Sequence, residues 1–524
     1  MHRSRARPRP RSSARARALA GCALVLAVLG TAPAPPVPAP APRGSPDPLA
    51  AFHSQRPTWG ECPGSRVPEG MRCATLTVPL DHADPAKGTT RIALSRIPAT
   101  APARGRLGPL LLNFGGPGAP GIASLAEDPA TFAKLGERYD LVAFDPRGVG
   151  LSDPVSCGGS DRPADVGGAR DAVAELAALR ATAARCTRYS GPVLAYIGTV
   201  QASRDMDVIR RVLGADKLDY LGFSYGTRLG AAYAAQFPKS TGRMVLDGVD
   251  TLTEPLVEQA LASARGQQRA LDHFLAWCAR RTGCVYGTNT RTAKEDVAAL
   301  VERLDREPVT GEDGSAFTGQ DAVAAVGAAL YSKDSWPDLA DALTRLEEHD
   351  DPVGLMQLGG PTGSPPGDDG TDSGIPADNA EAALTAVNCA DDPDRGAPTA
   401  SPAQLLRELT GLEAEFRQAS RIFGPQQLGT VLACYGRPAG SDFIRRIDHP
   451  GAPRMLLVGT RGDPATPYEW TEETAARLGS AVVLDHKGDG HTGYGTSACV
   501  REYVDGFLVD GRLPHGTRSC PAGE

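Results

Sequence analysis

At 524 residues with a formal net charge of −7, the chain is long enough for one large core with a further domain inserted into it. The charge is small for that length, and nothing in the composition suggests a nucleic-acid binder, which would more often carry a concentrated basic surface. An apolar fraction of 41% is ordinary for a globular protein.

The first fifty residues stand apart. Arg3, Arg5, Arg7, Arg9, Arg11, Arg15 and Arg17 form a basic leader, followed by an apolar run over 18–29 and a Pro/Ala-rich stretch over 32–48. A basic head and about a dozen apolar residues describe an export signal and are too short to span a bilayer. The expectation is a signal peptide over 1–34, a linker over 35–57 and a secreted product. Leu19-Ala20-Gly21-Cys22 resembles a lipoprotein acylation box, but most of the apolar run follows Cys22 instead of preceding it. No later segment reads as a membrane span. Removal of the signal leaves ten cysteines, an even number, as expected in an oxidising compartment. Taken in sequence-near couples they suggest Cys62–Cys73, Cys157–Cys186, Cys278–Cys284, Cys389–Cys434 and Cys499–Cys520, and none has the spacing of a zinc site.

In chain order, two β-rich runs over 75–80 and 90–98 flank a polar turn and read as an antiparallel hairpin. Short apolar strands follow over 109–113, 139–144, 218–222 and 243–247, and two more over 454–459 and 481–484. Unalternating runs spaced by helix-length segments indicate an α/β fold with a mostly parallel sheet buried on both faces. A helix over 203–213 precedes the 218 strand, and another follows it over 227–237. Between about 250 and 450 the rhythm breaks. Helical patterns appear over 271–280, 294–304 and 404–421, with a Gly/Pro/Asp-rich loop over 359–378. The resulting division is a core over 58–250 and 451–524, interrupted by a mainly helical cap over 251–450.

Gly222-Phe223-Ser224-Tyr225-Gly226 joins a strand to a helix. A serine on such an elbow takes strained backbone angles, and the flanking glycines let strand and helix approach closely. Asn113-Phe114-Gly115-Gly116-Pro117-Gly118 follows the strand at 109 and can supply a backbone N–H to a tetrahedral oxyanion, the other coming from the residue after the nucleophile. The expected donors are Gly116 and Tyr225, with Gly115 as substitute. A hydroxyl needs a base, and the imidazole needs a carboxylate to hold its tautomer. Asp463 and His491 follow successive strands in the order serine, acid, histidine, and complete a candidate triad with Ser224. Asp247, also at a strand end, is the rival acid. His486 reads as structural, and His515 lies in a tail expected to be tied down by Cys520.

These motifs, with Asp145-Pro146-Arg147-Gly148-Val149-Gly150-Leu151-Ser152 and the run from Gly459 to Pro467, resemble the secreted tripeptidyl aminopeptidase and proline iminopeptidase-like branch of the α/β-hydrolases. The likeness covers most of the chain from about Thr58, and the cap is its least recognisable part. The chain departs from the family pattern at Phe114 and at Ala119-Pro120-Gly121. The resemblance implies an α/β-hydrolase fold and a serine exopeptidase that takes short peptides from their free N-terminus, without metal or organic cofactor. A cap carboxylate would suit the substrate amine, the candidates being Glu254, Asp391 and Asp392. A carboxylesterase or lipase using the same triad is the rival activity, and a non-catalytic secreted binding protein of the same fold is the rival class.

Overall fold

The computed structural model describes residues 47–64, 67–159, 172–311, 314–360, 374–392, 401–437, 442, 447, 451–515 and 518–523. The expected signal peptide, Cys22 and most of the linker lie outside these residues, as does most of the loop expected over 359–378. Residues from Pro48 onward form one compact unit. A short helix, Ala50–His53, falls within the stretch read as linker. Just after it, Gln55 exchanges hydrogen bonds with the backbone of Thr77 (Nε2 to O, 2.7 Å; N to Oε1, 2.8 Å).

Eleven strands are formed among the described residues: β1 (Arg72–Pro79), β2 (Thr89–Ile97), β3 (Gly108–Asn113), β4 (Tyr139–Phe144), β5 (Leu218–Phe223), β6 (Thr241–Asp247), β7 (Val309–Thr310), β8 (Ala316–Phe317), β9 (Met455–Gly462), β10 (Ala481–Asp489) and β11 (Arg518–Cys520). Nine of them make one sheet in the order β1-β2-β4-β3-β5-β6-β9-β10-β11, and β7 and β8 pair separately. The pairs β1/β2 and β2/β4 are antiparallel, and every pair from β4 to β11 is parallel. The short β11, which the sequence pattern did not signal, is added alongside β10 and fixed by Cys499–Cys520.

The central strands bury both faces because successive side chains point to opposite sides of a sheet. Leu111, Val142, Tyr220, Leu246 and Leu457 enter one core. Their neighbours Leu110, Leu112, Leu141, Leu221, Val245 and Leu456 enter the core on the other face. Continuous apolar runs are therefore required, and each fully buried leucine contributes about 1.5–3 kcal/mol relative to exposure.

Strand β3 pairs with β4 on one side and with β5 on the other. The connections leaving the carboxyl ends of β3 and β5 thus meet where strand order reverses, the crevice in which open α/β sheets bind ligands.

Between β6 and β9 the chain builds an inserted, mainly helical cap. Its helices include Leu256–Cys278, Thr290–Arg306, Gly319–Ala329, Trp336–His349, Asn379–Asp391, Pro402–Ala419 and Gly424–Leu432. Most of them pack a core of their own around Phe274, Trp336, Leu339 and Phe423. Gly319–Ala329 was not legible in the sequence, because its run of alanine, glycine and valine carries little amphipathic contrast. All five expected disulfides are formed. Among the described residues no helix is long and apolar enough to cross a membrane.

Candidate active site

Ser224 sits between β5 and the helix Tyr225–Gln236 with φ 55° and ψ −127°. That left-handed conformation costs a non-glycine residue about 1–3 kcal/mol. Thr492, beside His491, also has positive φ, so strain of this kind flanks the site on two loops. The glycines of the elbow are there for closeness. A Cβ on Gly222 would lie 2.6 Å from Gly226 O, and one on Gly226 would lie 2.6 Å from Asn113 Oδ1. The loop after β3 is pressed equally hard against the serine: a Cβ on Gly115 would stand 2.5 Å from Phe223 O and 2.8 Å from Ser224 Cβ.

The two expected oxyanion donors differ from the substitute in one respect. The Gly115 N–H donates to Asn113 Oδ1 at 3.1 Å, so that amide is engaged within its own loop. Tyr225 heads a helix, where the first N–H groups have no intrahelical acceptor, and the helix N-terminus favours negative charge beside Ser224. Beneath these loops Phe114, Phe132, Phe223 and Tyr494 stack edge and face, with centroids 5.7–6.3 Å apart. Phe114, one of the chain's departures from the family pattern, belongs to this cluster.

Asp463 follows β9 directly, and His491 lies two residues beyond β10. The ring Nδ1 of His491 is 2.9 and 3.0 Å from the two Asp463 carboxylate oxygens. The carboxylate, 2% exposed, also accepts from the amides of Ala465 and Thr466 (both 2.8 Å), the Thr466 hydroxyl (2.9 Å) and the Thr492 amide (3.2 Å). An acceptor so surrounded fixes the imidazole with Nδ1 protonated and Nε2 free. Burial alone would lower the His491 pKa. The Asp463 charge and hydrogen bond, with Asp247 and Asp250 further off, hold it above the ordinary histidine value.

Ser224 reaches this pair through the turn after β6. Its amide donates to Asp247 O at 2.9 Å, and the next residue, Gly248, packs against the histidine loop: a Cβ there would lie 2.9 Å from Thr492 Cγ2 and 3.4 Å from His491 Cε1. Among the described residues the Ser224 hydroxyl makes no hydrogen bond to the imidazole, a looseness common in sites without substrate.

Asp247, the rival acid, is spent elsewhere. Fully buried, it accepts from the amides of Gly493 (2.9 Å) and Tyr494 (2.7 Å) and so holds the histidine loop without touching the ring. Burial pushes its pKa up to about 6. His486 is buried against Thr460, with its pKa lowered by burial, and His515 is exposed.

Two of the three candidate amine ligands, Glu254 and Asp391, line one cavity, and Asp392 does not. Asp392 Oδ1 accepts from Leu256 N at the start of the helix Leu256–Cys278 (3.2 Å). Asp391 accepts from the amide (2.8 Å) and hydroxyl of Thr199. Glu254 pairs with Arg477 and takes the amides of Leu252 and Thr253. Glu254 and Asp391 both line a cavity beside the elbow helix, together with Thr199, Arg228 and Thr253. Arg228 is buried there against Asp250 (3.0 Å).

Sequence reasoning missed Tyr331. Its carbonyl accepts from His491 N at 2.8 Å, and its ring, 44% exposed, meets the imidazole edge-on at 4.9 Å. A Cβ on Gly490 would lie 2.9 Å from that carbonyl. No sequence signal marks Tyr331, because the contact depends on how the cap folds back over the histidine loop.

Residues 420–520 match a model described as TAP-like protein, and residues 108–349 match one described as alpha/beta hydrolase fold. The serine protease Hip1 of Mycobacterium tuberculosis is 34% identical over 492 residues, covering 88% of this chain and 90% of the relative. Carboxylesterase B of the same organism is 33% identical, with 86% of each chain covered. The tripeptidyl aminopeptidase of Streptomyces lividans is 29% identical, with 88% and 86% covered.

Proposed function

The chain belongs to the α/β-hydrolases, in the tripeptidyl aminopeptidase-like branch with a TAP-like C-terminal region, and from that premise we propose that it is a secreted serine exopeptidase acting on short peptides with a free N-terminus. That it is a serine hydrolase of peptidase or esterase type is supported by its relatives. The observation that carries the proposal is the His491–Asp463 pair beside a serine on a strained elbow. Export is supported by the five disulfides, which persist in oxidising compartments.

In the proposed cycle, His491 Nε2 takes the Ser224 proton as Oγ attacks the scissile carbonyl. The N–H groups of Gly116 and Tyr225 hold the oxyanion. His491 then gives its proton to the leaving amine, and water repeats the sequence on the acyl-enzyme. Asp463 holds the ring and stabilises the imidazolium. Glu254, which lines the cavity, is assigned to the substrate amine, which would displace Arg477 from its Oε1.

Ester hydrolysis passes through the same intermediate, and the likeness to carboxylesterase B favours it as the second reading. The two separate on a panel of aminoacyl, dipeptidyl and tripeptidyl arylamides, each with free and acetylated N-terminus, against simple aryl esters. The exopeptidase reading expects turnover of free-amine peptides and loss of at least tenfold in kcat/KM on acetylation. Equal turnover of acetylated substrates, with simple esters preferred, would overturn it.

A further inference from the structure

The cap helix Asn379–Asp391 touches both sides of the elbow region, at opposite ends. Thirteen residues long, it spans about 20 Å at 1.5 Å per residue. Its first turn rests on the loop after β3. A Cβ on Gly118 would stand 2.8 Å from Ala380 O and 3.2 Å from Ala383 Cβ, so this helix limits how far the Gly115–Gly118 backbone can move.

That end is clamped to the core. Asn379 accepts from Gly150 N (2.9 Å) and donates to the carbonyls of Gly148 (2.9 Å) and Val155 (2.8 Å). Asp378, one residue earlier, accepts from the Ser156 hydroxyl and the Cys157 amide, both at 2.7 Å. Both side chains are buried, and each such bond to a charged or buried partner is costly to lose.

The far end grips the other donor. Asp391 accepts from the Thr199 amide and from its hydroxyl. With the single Thr199 proton so used, the Tyr225 phenol, 2.6 Å from Thr199 Oγ1, is the donor in that pair. The chain of bonds Tyr225–Thr199–Asp391 therefore ends on the residue whose N–H faces the oxyanion. Cys389–Cys434 ties the same turn to the rest of the cap.

We propose that the helix Asn379–Asp391 is a positioning strut that sets the separation of the two oxyanion donors, with Asp391 and Thr199 as positioning residues acting through Tyr225. The inference rests on the serine-hydrolase reading above. It makes the cap part of the catalytic machinery as well as a cover for substrate. Donors aimed at a developing charge act through their geometry, and a displacement of about 1 Å can cost about a hundredfold.

The test compares Thr199→Val, which removes the hydroxyl at nearly constant shape, with Thr199→Ser, which keeps it, and with Asp391→Asn. Wild type, on the arylamide that it turns over best, is the reference. The strut expects Thr199→Val and Asp391→Asn to lower kcat about tenfold with KM within twofold. The affinity for a peptidyl boronic acid, a mimic of the tetrahedral state, should fall by the same factor. Thr199→Ser should restore both, and all three should keep the wild-type melting temperature within a few degrees. Unchanged kcat and boronate affinity in Thr199→Val would overturn the strut. So would a rise in KM alone in Asp391→Asn, which would make Asp391 a substrate ligand instead. If wild type shows no hydrolysis and no adduct on Ser224, the functional reading itself fails, a result distinct from either.

Discussion

The sheet edge and the cap place their residues under different rules. At the sheet edge, Ser224, Asp463 and His491 each follow a strand end by one or two residues, and glycines at 115, 222, 226 and 248 let the backbones approach. The cap meets the histidine loop through Tyr331, while Glu254 and Asp391 line a cavity beside the elbow helix; the three sit on unrelated helices and turns. The catalytic side chains at this edge are thus placed by local backbone requirements, and the cap residues by tertiary contacts. Mutations in the two regions should fail differently: sheet-edge changes in kcat, most cap changes in KM or substrate choice.

The largest expected effect belongs to the sheet edge. Ser224→Ala should lower kcat by about 10⁴–10⁶-fold with the melting temperature unchanged, as removal of a triad nucleophile does. Next, Asp463→Asn should cost about 10⁴-fold, because the histidine loses the partner that fixes its tautomer. Asp247→Asn, which keeps one acceptor oxygen for this pair of amides and leaves the His491–Asp463 contact in place, should cost about tenfold or less. Equal losses in the two asparagine variants, measured as kcat on one arylamide, would erase the distinction between acid and loop anchor.

Smaller effects test the cap. Tyr331→Ala should change kcat/KM about tenfold, mostly through KM and with a different factor for each leaving group, because the ring edge is half-exposed beside the base. A uniform drop in kcat across leaving groups would move Tyr331 into the sheet-edge class.

The pH profile gives the mildest test. His491 must be neutral to accept the serine proton, and Asp463 holds its pKa above the ordinary value. Activity should therefore be full at alkaline pH and fall as pH drops through a midpoint above that of a free histidine. In Asp463→Asn that midpoint should shift downward, because burial is left without the opposing charge. A profile insensitive to this substitution would separate the titrating group from His491.

What could be read from sequence divides along the same line. The parallel strands were legible because burial on both faces demands apolar runs such as Leu110-Leu111-Leu112. The elbow and the loop after β3 were legible because close approach at Gly115, Gly222 and Gly226 demands glycine at fixed places beside Ser224. The disulfides could be paired because each joins two cysteines that are consecutive in the chain. Tyr331 and Thr199 left no such trace, since neither has an unusual backbone or a recurring spacing. Their roles arise only when remote segments meet. Among the amine candidates, a carboxylate in a polar turn looks alike whether it caps a helix, as Asp392 does, or faces a cavity, as Glu254 does.

The most direct test of the account is covalent. A fluorophosphonate added to the native protein should give one adduct, mapped by mass spectrometry to Ser224, at a rate that collapses in His491→Ala. An adduct on another residue, or labelling of Ser224 at the same rate without His491, would contradict a serine activated by the His491–Asp463 pair.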